Sequence, residues 1–243
     1  MAEPVSRETP PTPAVASGVF SHALPTAERY AALLADAGVV RGLIGPREAP
    51  RLWERHLLNC AVLAEAIPAG VDICDLGSGA GLPGIVLGIV RPDLTVTLVE
   101  PLLRRTTFLV EAVAELGLGN VEVVRARAEE LHGHRDFAVV TSRAVAPLER
   151  LLDWSMPLVR QSGALVAMKG ASVHEEIDAA AGALRRHGAG LVSVQEYGAG
   201  VVDPPTIVLR VEATLPSGLA TAKRAGRRGR GDGGRGAGSR KGR

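Results

Sequence analysis

At 243 residues the chain has room for one full domain with appendages, and its 46% hydrophobic and 22% charged residues suit a globular protein with a sizeable core. No apolar run approaches a bilayer-spanning length, which argues against a membrane partner, and aromatics at 3% leave the core to Leu, Val, Ile and Ala. The net charge of +2 hides an asymmetry: residues 222–243 carry nine Lys or Arg against Asp232, and taking that local +8 from +2 leaves −6 for residues 1–221. The positive charge belongs to a tail, not to the fold.

Residues 1–24 are rich in Pro, Ser and Thr, and this composition predicts disorder. Glu3, Glu8 and the prolines argue against a secretory signal. Thr26 is a candidate N-cap for a helix through Ala37, closed by Gly38. A second helix is expected from Pro50 to Ala66, where Trp53, Leu57, Cys60, Ala64 and Ile67 recur at three- and four-residue spacing. These two helices make a small lobe over 25–69 that must bury its apolar faces against the chain beyond residue 69. Cys60 and Cys74 share no metal or redox spacing, so reduced structural cysteines, a cytoplasmic protein and no bound metal are expected.

From residue 71 the pattern becomes alternating strands and helices. Apolar runs predict strands at 71–76, 94–99, 121–124, 137–142 and 164–168, with helices at 82–91, 101–117, 147–161 and 172–187. Two late runs, near 191–197 and 206–211, are expected to pair as an antiparallel hairpin at one edge. The fold class is therefore α/β: a doubly wound, mostly parallel seven-stranded Rossmann-like sheet spanning 70–213, in the variant used by class I S-adenosylmethionine methyltransferases. Residues 214–243, rich in Gly and Arg, are expected to be a disordered basic tail.

The first strand runs into Asp75-Leu76-Gly77-Ser78-Gly79-Ala80-Gly81-Leu82-Pro83-Gly84, a strand, glycine turn and helix start in that order. Glycines there allow a sharp turn and close approach of a ligand to main-chain atoms. Gly79 to Gly84 fits the dinucleotide GxGxxG pattern, whereas Gly77, Gly79 and Gly81 fit the GxGxG of S-adenosylmethionine enzymes. Ligands of such sheets bind beyond the carboxyl ends of the strands, which gathers Asp75 to Gly81, Glu100, Ala128-Glu129 and Ser142-Arg143 into one cleft. Glu100 is placed to accept hydrogen bonds from ribose hydroxyls, or else serves as a helix N-terminal acid before Pro101. Asp75 orients the glycine loop or faces a methionine amino group, and Ala128-Glu129 lies where an adenine would rest. Arg143 pairs with a carboxylate or phosphate of a ligand, or with an acid such as Glu149. Lys169 is a phosphate contact or a surface lysine, and His56 is a packing residue rather than a base.

The methyl acceptor is constrained by what the chain lacks. Thr141-Ser142-Arg143-Ala144 stands where exocyclic-amine enzymes commonly carry Asn or Asp-Pro-Pro-aromatic, and Asp203-Pro204-Pro205-Thr206 reads as a turn in the hairpin. Neither cysteine is placed as a nucleophile. A ring nitrogen with a free lone pair, such as guanine N7, needs no proton removed and fits this set.

Asp75 to Ile85, Arg91-Pro92, Glu100 with Arg104-Arg105, Arg127-Ala128-Glu129-Glu130, Ser142-Arg143-Ala144 and Lys169-Gly170 resemble the bacterial small-subunit ribosomal RNA methyltransferase G family, also called glucose-inhibited division protein B, over about residues 25–212. Arg55-His56 looks like its Arg-His motif, with Asn59-Cys60 where many members have Asp-Ser, and Glu100 replaces an Asp found in some. The resemblance implies methyl transfer from S-adenosylmethionine to N7 of guanine 527 in 16S rRNA; the substrate is expected to be that RNA or a small-subunit assembly intermediate, and the enzyme a monomer. By motif match the resemblance places Gly77, Leu82, Ala128, Glu129 and Arg143 at the cofactor; the cleft reading adds Asp75, Gly79, Gly81 and Glu100 there, with Arg143, Lys169 and Arg105 expected toward RNA. Two other readings are an NAD(P)-dependent oxidoreductase, which needs a second half-sheet of parallel units, and a non-catalytic RNA-binding protein.

Overall fold

The computed structural model describes residues 9–214; residues 1–8 and the stretch expected to be a basic tail from 215 on lie outside them. Five short apolar runs become parallel strands because helices cover both of their faces. They are β1 (Asp72–Leu76), β2 (Thr95–Val99), β3 (Val121–Val124), β4 (Phe137–Arg143) and β5 (Val159–Lys169). β6 (Ala189–Tyr197) and β7 (Thr206–Ala213) pair antiparallel, and β7 also runs antiparallel to β5. The sheet order is β3-β2-β1-β4-β5-β7-β6. The chain winds outward from β1 to β3 and then returns to β4 on the other side of β1, so the topological switch point lies between β1 and β4. A crevice for a ligand opens there, beyond the carboxyl ends. The antiparallel β6–β7 pair occupies the place where a nicotinamide enzyme's second parallel half would continue.

Helices α4 (Gly84–Val90) and α5 (Leu103–Leu116) cover one face of the sheet, and α6 (Ala128–Leu131), α7 (Leu148–Ser155), α8 (Val173–Ala179) and α9 (Ala181–Arg186) the other. Two predicted helices are shortened. The one expected over 147–161 ends at Ser155, because Pro157 supplies no backbone donor to continue it; a 3₁₀ turn Met156–Leu158 leads into β5, five residues earlier than its apolar run suggests. The one expected over 172–187 breaks at Ala180, whose φ of −89° and ψ of 6° leave the helical region.

The N-terminal segment departs most from expectation. Composition predicts disorder over the whole of 1–24, yet residues 14–20 form a helix, α1 (Ala14–Phe20), with Ala16 and Phe20 buried. Phe20 meets Trp53 edge to face, ring centroids 5.9 Å apart at 79°. The prolines that bias the composition stop at Pro13, and the residues after it carry an apolar face that finds a partner. A 3₁₀ turn, Ser21–Ala23, joins α1 to α2 (Leu24–Leu33), so Thr26 is inside the helix rather than capping it; Pro25 sits in the first turn, where a missing N–H costs nothing. Wider i→i+5 turns carry this helix on through Leu34–Gly38. A second helical run over 49–66 passes through wide turns at Leu52–Leu58 and α3 (Asn59–Val62), burying Trp53, Leu57 and Cys60 as the stripe predicts. Arg91, just after α4, donates to the carbonyls of Ala64, Ile67 and Pro68, each at 3.0 Å. It thereby satisfies the acceptors that a helix end leaves unpaired and fastens the N-terminal helices to the sheet.

Phe20→Ala should destabilise the protein by about 3–5 kcal/mol, the usual cost of deleting a buried ring. Denaturant unfolding should show it as a lower midpoint; an unchanged midpoint would mean that α1 adds nothing to the core.

Candidate functional site

The loop after β1 is held by hydrogen bonds from three directions. Gly77 and Ser78 N–H donate to Val99 O at the end of β2, at 2.9 and 3.2 Å. Gly79 N–H donates to Glu100 Oε2 at 3.0 Å, and Tyr30 Oη, from the fully buried Tyr30 on α2, donates to Ala80 O at 2.7 Å. Gly77 adopts φ +72°, and a Cβ there would meet Val145 Cγ2 at 2.8 Å, so glycine is required by both conformation and space.

Asp75 is completely buried beneath this loop. Its Oδ2 accepts the Gly84 N–H at 3.0 Å, so of the two roles open to it, orienting the loop is the one its contacts display. A Cβ on Gly84 would lie 2.7 Å from that oxygen, which is why a glycine opens α4. Asp75 Oδ1 is buried with no protein partner. Burial pushes this carboxyl up to about 7, against the opposing pull of the Gly84 N–H.

Glu100 is 1% exposed. Its Oε1 accepts the Leu102 N–H at 3.0 Å while Oε2 takes Gly79 N–H, and Arg105 stands 3.6 Å from Oε2. This acid steadies the start of α5, as the helix-terminal reading expects, and it also lines a cavity. That cavity, of about 1070 Å³, is walled by Gly77, Gly79, Leu82, Glu100, Ala128, Glu129, Arg105 and Arg143, with Asp75 and Gly81 set behind the wall. Glu129 Oε1 accepts the Trp154 Nε1–H at 2.7 Å, and neighbouring Glu130 caps α6 by accepting Arg127 N–H at 2.8 Å. Arg105, expected toward RNA, lies beside Glu100 in this first cavity.

A second cavity, of about 1220 Å³, adjoins the first: Arg143, Ala144 and Val145 line both. It lies among the run over 49–66, the ends of β4 and β5, and the β6–β7 connection. Asp203-Pro204-Pro205, expected as a simple turn, forms part of its wall, and Thr206 Oγ1 donates to Asn59 Oδ1 at 2.6 Å. Lys169 borders this cavity with its Nζ 2.8 Å from Glu176 Oε2. Ser142 Oγ is buried there without a partner. Arg143 does not meet Glu149, which reaches Arg186 at 3.4 Å; its Nη1 is 2.9 Å from His56 Nδ1 and donates to Arg55 O at 3.4 Å. His56 Nε2 in turn is 3.1 Å from Glu48 Oε2. Burial pushes the Cys60 thiol up to about 11 and raises that of Cys74, so both stay protonated and neither is a nucleophile.

Tyr30 and Glu48 were missed by sequence reasoning. A tyrosine in a chain with so few aromatics was a weak signal for Tyr30; nothing local marked Glu48, which becomes a neighbour of His56 only through the 49–66 run.

The family model described as rRNA small subunit methyltransferase G matches residues 23–202. A Ribosomal RNA small subunit methyltransferase G from Nocardioides sp. is 65% identical over 212 residues, covering 87% of this chain and 85% of that protein. One from Streptomyces avermitilis is 58% identical over 221 residues, covering 90% and 93%. Among solved structures, a SAM-dependent O-methyltransferase from Thermotoga maritima superposes with a TM-score of 0.52 at 14% identity, covering 64% of each chain. M. jannaschii TYW2 in complex with AdoMet does so at 0.52 and 15%, covering 66% of this chain and 77% of that one. At such identities the likeness shows the fold, the class I methyltransferase sheet.

The raised carboxyl of Asp75 has a consequence for stability. The folded state holds this proton more tightly than the unfolded chain, so its contribution is present at low pH and lost as pH rises from about 4 through about 7. In chemical denaturation across that range, native protein should lose stability relative to Asp75→Asn as pH rises; parallel curves would show that Asp75 is ionised throughout.

Proposed function

This chain belongs to the rRNA small subunit methyltransferase G family, and on that footing we propose that it methylates N7 of guanine 527 in 16S rRNA, in line and without a covalent intermediate. Its methyl donor is S-adenosylmethionine, which supplies an electrophilic methyl group on a sulfonium. The first cavity fits that donor: a cradle of glycines at positive φ, with no room for a Cβ at Gly77 and Gly81, a buried carboxylate in reach of a sugar, and an apolar residue, Ala128, beside the place for a flat base. Gly77, Gly79, Gly81 and Leu82 would hold it through the loop, Glu100 at the ribose, Ala128 and Glu129 at the adenine, and Arg143 at its carboxylate, with Asp75 fixing the loop from below.

The observation that carries this reading is the wall shared by the two cavities. A purine entering the second cavity approaches the first across Arg143, Ala144 and Val145, beyond the carboxyl end of β4. To arrive there the base must leave its stack or already be splayed in a loop. In the transfer, the N7 lone pair forms the new N–C bond as the S–C bond breaks and its electrons return to sulfur. The positive charge passes from sulfur to the purine, and no proton has to leave. The chain's task is then to align the groups and exclude water. His56 supports this: both of its ring nitrogens are occupied, by Arg143 and Glu48, so it is no base.

Lys169, at the second cavity, extends the cationic lining toward RNA, Arg105 stays beside Glu100 in the first, and residues 222–243 add nine cations to residues 1–221, which are net −6. The proposed enzyme acts as a monomer, and a ribosomal RNA substrate supports a cytoplasmic location.

Ribosomal RNA from cells lacking the gene should lose borohydride- and aniline-sensitive cleavage at guanine 527, and the native gene should restore it. An unchanged cleavage pattern would overturn the assignment. Glu100→Gln should weaken S-adenosylhomocysteine binding by roughly tenfold or more in calorimetry, as loss of a charged acceptor implies. Deleting residues 222–243 should flatten the dependence of RNA affinity on salt, since each phosphate contact contributes about 0.9 to that slope on duplexes; an unchanged slope would exclude the tail from binding.

A further inference from the structure

Arg143 stands in the wall between the two cavities, yet no carboxylate among the described residues lies within ion-pairing distance of it. What holds it is neutral: the His56 ring and the Arg55 carbonyl. A guanidinium only donates, so a nitrogen 2.9 Å from Arg143 Nη1 must be an acceptor. His56 Nδ1 therefore carries no proton, and the ring's one hydrogen sits on Nε2, directed at Glu48 Oε2 at 3.1 Å. A protonated ring would oppose donor to donor and cation to cation.

We propose that His56 is a positioning residue for methyl transfer: held as the Nε2–H tautomer by Glu48, it offers Nδ1 to Arg143 and fixes that guanidinium in the wall shared by the donor and the purine. The inference rests on the two-cavity reading above and assigns to the N-terminal helices a part in it. A carboxylate in the same place would hold the arginine as well, but it would also neutralise it. The imidazole orients the guanidinium and leaves its charge and its remaining N–H groups for an anion, either the donor's carboxylate or an RNA phosphate. The charged groups facing His56 are Glu48, Arg55 and Arg143. Burial, and then the Arg143 guanidinium, push the imidazole down to about 4 against the pull of Glu48, so it stays neutral wherever the enzyme works.

Two polar substitutions separate positioning from mere packing. In His56→Asn the side-chain oxygen takes the place of Nδ1 and can still accept from Arg143; in His56→Gln it lies nearer the place of Nε2 and cannot. With the full chain and small-subunit RNA, kcat/KM should fall roughly tenfold or more for His56→Gln and stay within about threefold of native for His56→Asn. A loss seen in S-adenosylhomocysteine affinity would identify the donor's carboxylate as the anion, and one seen in the KM for RNA would identify a phosphate. Equal activities of the two variants, high or low, would overturn the proposal. The native protein gives an independent reading that needs no variant to fold: nitrogen chemical shifts of His56 at pH 7 should show unprotonated Nδ1 and protonated Nε2. A protonated Nδ1 or an imidazolium would sink the inference by itself. Failure of native protein to bind S-adenosylhomocysteine or to methylate RNA would instead count against the function proposed above, leaving the tautomer to be judged by the shifts.

Discussion

Between the end of β1 and the start of α4 there is room for a hydrogen bond and for nothing else. The Gly84 N–H reaches the Asp75 carboxylate at 3.0 Å because no side chain intervenes, and that contact sets how α4 leaves the central strand. The loop between them is then fixed at its other points by elements distant in sequence: Val99 at the end of β2, Glu100 just after it, and Tyr30 from α2. A loop tied to two strands and to a helix outside the sheet is a rigid platform. Group transfer that relies on positioning depends on such rigidity.

Burial of Asp75 raises the free energy of its charge, and one oxygen has no protein partner. A fold selected for stability alone would avoid this arrangement, since an apolar residue would cost less at a fully enclosed position. The carboxyl stays because it organises the loop, and strain of this kind gathers where function demands geometry. Lys169 illustrates the opposite case. It is almost enclosed at the rim of the second cavity, but Glu176 compensates it, so it can remain charged there at little cost.

How much of this could be read in the sequence depended on the range of the forces concerned. β1 to β4 followed from apolar runs whose two faces are both covered, because that signal is local and repeated. The glycine loop and Glu100 were equally visible, since conformation and reach along the chain dictate them. What stayed hidden was set by tertiary contacts. α1 forms because Phe20 finds Trp53, over thirty positions away in sequence. The partner of Arg143 is His56 rather than the nearby Glu149, because the run over 49–66 crosses the end of β4 while α7 directs Glu149 to Arg186. Pro157, by contrast, was a local stop signal outweighed by the apolar residues around it.

The N-terminal helices are therefore more than a cover for the sheet. Arg91 binds their last carbonyls, Tyr30 grips the glycine loop, and Glu48 with His56 reaches the wall between the cavities. A Rossmann-like sheet by itself forms the glycine loop and the crevice beyond the carboxyl ends of its strands, and chains at 14–15% identity share that sheet. It does not provide the far side of the second cavity, nor a hold on the arginine dividing the two. Both come from segments packed against the sheet's rim: the 49–66 run and the β6–β7 connection, joined through Asn59 and Thr206. The second cavity is thus completed where the sheet ends, in contacts that join residues nearly 150 positions apart.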